Sequence, residues 1–283
     1  MASGANVWCR ADAHCGCCPP PAAPSAGCVA SLLAAPPVEL SVDCAALQTL
    51  VLQGRALSVL PDAIGELSAL KVLDASDNAL TSLPAALGRC GELRELLLAA
   101  NEFTDLPAWL ADLPHLHVLN LQRNRLATLP AAVLRCAWLR YLRWGAQRAV
   151  ADAGDAVSEA AAGEAAAGDG FASPSLAVLE LEANGQRSLP RLHPRDLVLT
   201  AVLASFNDLR AVPSQLVAYG PTLKKLHLGS NQIASVDGLL PSLAKVTELC
   251  LDGNRLTSLP ESIRCLSKLR ELWLHGNTAL EAL

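Results

Sequence analysis

One pattern, Leu-x-x-Leu-x-Leu-x-x-Asn-x-Leu-x-x-Leu-Pro, recurs along most of this 283-residue chain. Most recurrences begin 23 residues apart; the fifth step has fourteen extra residues and the seventh has one. A fixed period of this length predicts a solenoid, in which each repeat packs only against its neighbours. The ten starts are Leu47, Leu70, Leu93, Leu116, Leu139, Leu176, Leu199, Leu223, Val246 and Leu269.

Each part of the repeat predicts a local structure. Leucines at positions 4 and 6 alternate with other residues, which is typical of a short strand with its leucines inward. Successive strands then stack as a parallel sheet, and positions 2, 3, 5, 7 and 8 form one continuous concave face. The Leu-Pro pair opens the convex side, because proline favours an extended or first-turn conformation. The predicted fold class is α/β: a parallel concave sheet with short helices or 3-10 turns on the convex side.

The asparagine at position 9 is predicted to pair backbone groups where the chain turns off the sheet. Eight of the ten repeats have it; the other two have Arg55, in the first repeat, and Gln147, just before the extra residues. Because a stack of amides needs a neighbour on both sides, we expect asparagine to be dispensable at ends and breaks. We therefore expect an array hinged or interrupted after Gln147. Trp144 falls on an inward position of the same repeat and predicts local widening or capping.

The sequence divides into four segments. Residues 1–46 are rich in Ala, Pro and Cys, lack the period, and are interpreted as a mostly disordered leader with a partial cap. Residues 47–149 hold repeats 1–5, and residues 150–175 are a low-complexity acidic insertion, interpreted as a flexible loop. Residues 176–283 resume the array with repeats 6–10, the last of them incomplete.

These residues resemble the leucine-rich repeat superfamily, and the fourth repeat carries the likeness in full: Leu116, Leu119, Leu121, Asn124, Leu126, Leu129 and Pro130. The 23-residue period and the Leu-Pro pair are similar to the intracellular Ras-group type, as in Erbin/Scribble-like scaffolds and plant intracellular Ras-group proteins. The resemblance implies a horseshoe-shaped leucine-rich repeat solenoid with a protein-binding concave face. It also implies a scaffold or adaptor role in signalling, often with a small GTPase or a phosphatase as partner.

The concave face can be read from the repeat positions. Around the third to fifth repeats it gathers basic and aromatic side chains, which are typical of an interface hot spot and would complement an acidic partner. A solvated face, partly neutralised by Glu92, Glu95 and Glu102, is the alternative. The tenth repeat places Trp273 on the same face as a second anchor, unless a further segment buries it. The predicted partner-binding residues are Arg94, His117, Arg123, Arg140, Tyr141, Arg143 and Trp273.

Composition and motifs restrict the class of function. A net charge of −5 gives no basic footprint for nucleic acid. No apolar run approaches the ~20 residues of a membrane-spanning helix, and Met1 to Arg10 lacks the features of a secretory signal. We expect a cytoplasmic protein. No catalytic motif, phosphate loop or metal-binding pattern is present, so neither an enzyme nor a cofactor is predicted.

Ten cysteines leave alternatives open. Those within the array are interpreted as small buried hydrophobes. Those of the leader fit an untethered tail, a disulfide cap of a secreted protein, or a zinc site with His14. The leader cysteines are Cys9, Cys15, Cys17, Cys18, Cys28 and Cys44.

Two functional hypotheses follow. The first is a non-catalytic protein-interaction scaffold. The second is the recognition segment of a larger enzyme or receptor, such as a kinase-linked array, because no polar capping unit follows the tenth repeat.

Overall fold

The computed structural model describes residues 46–147, 174–190, 192 and 198–280. Within them, ten three-residue strands form one parallel sheet in chain order. The predicted leader and most of the predicted insertion lie outside the described residues. The strands are β1 Thr49–Val51, β2 Val72–Asp74, β3 Glu95–Leu97, β4 Val118–Asn120, β5 Tyr141–Arg143, β6 Val178–Glu180, β7 Ala201–Leu203, β8 Lys225–His227, β9 Glu248–Cys250 and β10 Glu271–Trp273.

The register of the sheet follows the leucine spacing. The middle residue of a strand is aliphatic and faces the core, and it pairs with the same position of the next strand, as Leu73 does with Leu50 and Leu96. Its two neighbours face away from the core, because successive side chains of a strand point to opposite faces. The residue at position 6 returns to the core, as Leu98 does in the third repeat. The strands are therefore short because only positions 3 to 5 are needed to place one leucine between two outward residues.

Proline begins the convex side. In most repeats it is extended and directly precedes a short helical turn, as Pro84 does with a φ of −65°. Most of these turns bury at least one aliphatic residue, and Leu87 and Leu110 are fully buried. The 3-10 turns are Asp62–Glu66, Ala85–Arg89, Ala108–Asp112, Ser214–Tyr219, Leu240–Leu243 and Glu261–Cys265, and α1 is a single α-helical turn, Ala131–Leu134. The predicted α/β solenoid is confirmed.

The sheet is continuous across the insertion. Strands β5 and β6 pair in the same register as their neighbours, with Leu142 opposite Leu179, although 37 residues separate these two leucines instead of 23. Within the described residues the predicted interruption of the array is absent. Trp144 is buried in line with Leu121 and Leu181, and its indole Nε1 has no hydrogen-bond partner among the described residues.

The amide stack is continuous too, and the expectation that it breaks at Gln147 is wrong. Gln147 Nε2 donates to the Leu121 carbonyl at 2.8 Å, and its Oε1 accepts from the Leu126 backbone N–H at 3.2 Å. Asn124 makes the matching bonds one repeat earlier. The longer glutamine side chain delivers the same amide to the same two groups. What the turn requires is an amide, which two residue types can supply.

Candidate protein-binding face

The predicted basic residues fall into one column along the N-terminal edge of the strands. Arg94, His117 and Arg140 each occupy position 2, and the backbone joins them directly. The His117 N–H donates to the Arg94 carbonyl and the Arg140 N–H to the His117 carbonyl, each at 2.8 Å. Adjacent strands of a sheet lie about 4.8 Å apart. The sheet therefore holds three ionisable side chains at fixed, close intervals.

The arginines of the column differ from Arg125 in their ion pairing. Arg94 and Arg140 are exposed and form no ion pair with any other described residue. Glu102 does form one, at 3.3 Å, but with Arg125. Glu102 therefore pairs outside the column, and a solvated face partly neutralised by Glu92 and Glu95 stays the alternative prediction for Arg94 and Arg140.

Tyr141 and Arg143 lie on β5 beside this column, with different surroundings. The Tyr141 ring is 46% exposed. Arg143 Nε lies 3.1 Å from the Glu180 carboxylate of β6. A partner that binds Arg143 must compete with Glu180, so Arg143 is a weaker recognition group than Arg140.

Arg123 lies apart from the column, on the opposite edge of the sheet. It occupies position 8, where the backbone turns with a φ of 56°. This left-handed conformation recurs at position 8 of every repeat and costs a residue with a Cβ about 1–2 kcal/mol. The position-8 residues are Gly54, Asp77, Ala100, Arg123, Ala146, Ala183, Phe206, Ser230, Gly253 and Gly276. Their varied chemistry explains why sequence reasoning did not detect the requirement.

Trp138 is an exposed aromatic residue that the sequence reasoning missed. It lies two residues before Arg140 and three before Tyr141, and it is 55% exposed. Tryptophan, tyrosine and arginine are the residue types enriched in interface hot spots. A signal was available: this last position of the repeat holds a large aromatic residue only here. We define the basic–aromatic edge as Arg94, His117, Trp138, Arg140 and Tyr141.

Trp273 belongs to a separate cluster at the far end of the sheet. Its ring is 40% exposed and meets His227 edge-on, with ring centroids 5.5 Å apart. Cys250 of the intervening strand is buried. Lys225 and Glu248 pair at 2.9 Å in the same cluster. Five strand spacings, about 24 Å, separate it from β5, so the seven predicted residues do not form one site.

The three buried cysteines of the described residues are poorly suited to catalysis. Burial raises the pKa of the Cys90 thiol to about 11 and that of Cys136 to about 12. Burial also raises the pKa of Cys250 to about 12, and a hydrogen bond to Asp252 adds to the effect. These thiols stay protonated at neutral pH, whereas the thiolate is the nucleophile. No group of three or more metal-ligating side chains occurs among the described residues.

Comparison with known proteins identifies the architecture. A leucine-rich repeat family model matches residues 45–103 and 221–278. The chain has the fold of a leucine-rich repeat solenoid. No curated protein sequence matches it significantly. No helix of the described residues is long and apolar enough to cross a membrane.

Several solved structures share the fold. A leucine-rich repeat protein of Leptospira interrogans is 26% identical, with a TM-score of 0.69 over 83% of this chain and 59% of its own. YopM of Yersinia enterocolitica is 27% identical, with a TM-score of 0.54 over 78% of this chain and 41% of its own. The present chain thus spans less than two thirds of the length of either protein.

A third structure shows the fold alone. The ectodomain of the Arabidopsis thaliana receptor kinase GASSHO1/SCHENGEN3, solved with CASPARIAN STRIP INTEGRITY FACTOR 2, is 23% identical with a TM-score of 0.51. It is matched over 79% of this chain and 30% of its own length.

Leucine-rich repeat arrays are in general non-enzymatic modules for protein interaction.

Proposed function

We propose that this protein is a non-catalytic interaction module whose basic–aromatic edge binds an acidic surface of a protein partner. The column of Arg94, His117 and Arg140 carries the proposal. Its two arginines are exposed and without carboxylate partners in the described residues, in a chain whose net charge is −5. A locally basic strip on an acidic protein favours an acidic partner and speeds its association.

Aromatic neighbours supply the apolar part of the interface. Trp138 and Tyr141 present large rings beside Arg140 and lose little conformational entropy on binding, because each has only two side-chain torsions. Hot-spot residues of these types cost about 2 kcal/mol or more when truncated to alanine. The parallel sheet holds the backbone in place, so the surface is organised before the partner arrives.

A finer form of the proposal rests on the resemblance of the repeat to the Ras-group type. In it the protein is a cytoplasmic scaffold or adaptor in signalling, with a small GTPase or a phosphatase as partner. The same edge would serve equally well in the recognition segment of a larger enzyme or receptor, because its geometry depends only on β3 to β5.

Charge reversal tests the proposal. Arg140→Glu with Arg143→Glu should abolish capture of the partner by tagged protein while leaving the thermal unfolding midpoint unchanged. Because Arg143 already pairs with Glu180, Arg94→Glu with Arg140→Glu is the sharper variant and should be at least as damaging. The matched control is Arg89→Glu with Arg135→Glu, which makes the same charge change at exposed positions of the convex side.

The readout is quantitative mass spectrometry of proteins captured by wild-type and variant chains. Proteins lost from the edge variants and kept by the convex control are partners of the edge. Equal capture by the wild type, the edge variants and the convex control would refute the proposed site.

A further inference from the structure

Phe206 is an unusual residue for its position in the repeat, because position 8 has a left-handed backbone. Its ring is 63% exposed, and its backbone is left-handed with a φ of 58°. At position 8 of the other nine repeats stand glycine, alanine, aspartate, serine and arginine, and none is a large apolar residue. A bulky side chain in this conformation is an outlier for L-residues.

The ring forms no aromatic pair with another described residue, and most of the side chain lies in solvent. The interaction recorded for Phe206 is that of its backbone, whose N–H donates to the Gly229 carbonyl at 2.9 Å. An alanine or glycine would make the same bond with less strain and no exposed ring. A residue that violates local preference without a compensating contact marks a functional position.

An open groove lies close to this residue in the chain, although Phe206 itself does not line it. The groove lies between the sixth and seventh repeats, in the segment of each repeat that comes after its strand. Residues Leu209 to Ser214 of the seventh repeat line one side of it. Leu209 is three residues after Phe206, so their Cα atoms are at most about 11 Å apart. Val212 and Pro213 give this side an apolar surface, and both are only half-buried.

Two arginines border the same groove. Arg187 and Arg210 occupy position 12 of successive repeats, both are exposed, and neither pairs with an acidic group among the described residues. The nearest acid in sequence, Asp208, accepts a hydrogen bond from Gln232 Nε2 at 2.8 Å. Each guanidinium thus keeps its fork of N–H donors available, which suits carboxylates in particular.

We propose that this second site, defined by Phe206, Arg187, Arg210, Val212 and Pro213, binds an acidic peptide segment of a partner that carries one large apolar side chain. The apolar side chain packs on the exposed Phe206 ring, and the chain beside it follows the groove over Val212 and Pro213. Carboxylates beside it pair with the two arginines. The site lies on the opposite edge of the sheet from the basic–aromatic edge and is independent of it.

The probe is a fluorescein-labelled 12-residue peptide of glutamates and serines with one central leucine. Its controls have alanine at the centre, or lysine in place of every glutamate. Fluorescence anisotropy should show the leucine peptide binding at least tenfold more tightly than the alanine peptide. The lysine peptide should not bind, and affinity should fall as salt rises.

Protein variants separate recognition from structure. Phe206→Gly should weaken the leucine peptide at least tenfold while leaving the thermal midpoint equal or higher, because glycine relieves the left-handed strain. Val59→Ala, which trims another exposed apolar side chain, is the matched control and should leave binding unchanged. A lower thermal midpoint with unaltered binding would assign Phe206 a structural role and overturn the proposal.

Arg187→Glu with Arg210→Glu should abolish binding, whereas Arg255→Glu with Arg264→Glu, elsewhere on the exposed surface, should not. Equal binding of the leucine and alanine peptides would also overturn the proposal. So would sedimentation showing that Phe206 instead drives association of two copies of this chain.

Discussion

Removal of one amide from the stack measures how much the stack stabilises the solenoid. Asn124 is fully buried; its Nδ2 donates to the carbonyls of Leu98 and Leu121, and its Oδ1 accepts from the Phe103 N–H. Asn124→Ala deletes all of these bonds. The former hydrogen-bond partners of Asn124, however, differ in whether they keep another hydrogen bond.

The two carbonyls are shared between rungs. Leu98 O also accepts from Asn101, and Leu121 O also accepts from Gln147. Each carbonyl keeps one bond in the variant, so each loss costs about 0.5–1.5 kcal/mol. The Phe103 N–H has no second acceptor among the described residues, and an orphaned buried donor costs about 1–3 kcal/mol. Together these three terms predict that the free energy of unfolding falls by about 2–6 kcal/mol.

Asn120→Ala is the matched control, because it is the same substitution in the same repeat. The Asn120 side chain is half-exposed and accepts one bond, from the Gln122 N–H at 3.1 Å. Its cost should be about 1 kcal/mol or less. Urea-induced unfolding, followed by tryptophan fluorescence, measures both variants, and hydrogen exchange at the Phe103 amide should accelerate only in Asn124→Ala. Equal destabilisation by the two substitutions would refute the reasoning.

Three further predictions follow from buried groups. Gln147→Ala should lower the free energy of unfolding by about 1–3 kcal/mol, measured by urea titration, because it orphans a buried N–H as Asn124→Ala does. Burial raises the pKa of Cys90 from 9.0 to about 11, so the unfolded state releases this thiol proton at a lower pH than the folded state does. The free energy of unfolding should therefore fall as pH rises from 9 towards 11. At pH 8, iodoacetamide should label exposed Cys265 long before Cys90. Gly220→Ala should destabilise strongly in thermal melts, since its Cβ would lie 1.8 Å from a backbone oxygen, whereas Gly91→Ala, with nothing within 4 Å, should not.

Much of the fold could be predicted because one spacing determines it. A leucine every 23 residues at position 4 places each strand, its register and its inward residue together, as Leu73 and Leu96 show. The error at Gln147 arose because sequence reasoning compared residue types, whereas the fold selects a hydrogen-bonding group. A side chain one methylene longer can still deliver that group to Leu121 and Leu126.

Less of the candidate site could be predicted, for physical reasons. Repeat positions identified the column of Arg94, His117 and Arg140, because the register of a sheet follows directly from the period. Which arginine meets a carboxylate depends on side-chain torsions, so the pairing of Arg143 with Glu180 required the structure. The left-handed backbone at Phe206 could not be predicted from the sequence, because position 8 holds a different residue type in different repeats.

The unbroken register between β5 and β6 has a practical consequence. The connection between Leu142 and Leu179 is fourteen residues longer than in a standard repeat, yet the pairing on either side is the same as elsewhere. The length of this connection therefore does not change the strand register next to the basic–aromatic edge. A fluorescent protein or an affinity handle spliced between residues 150 and 173 should report on the array without displacing a rung, because β5 and β6 already pair in the standard register across the longer connection.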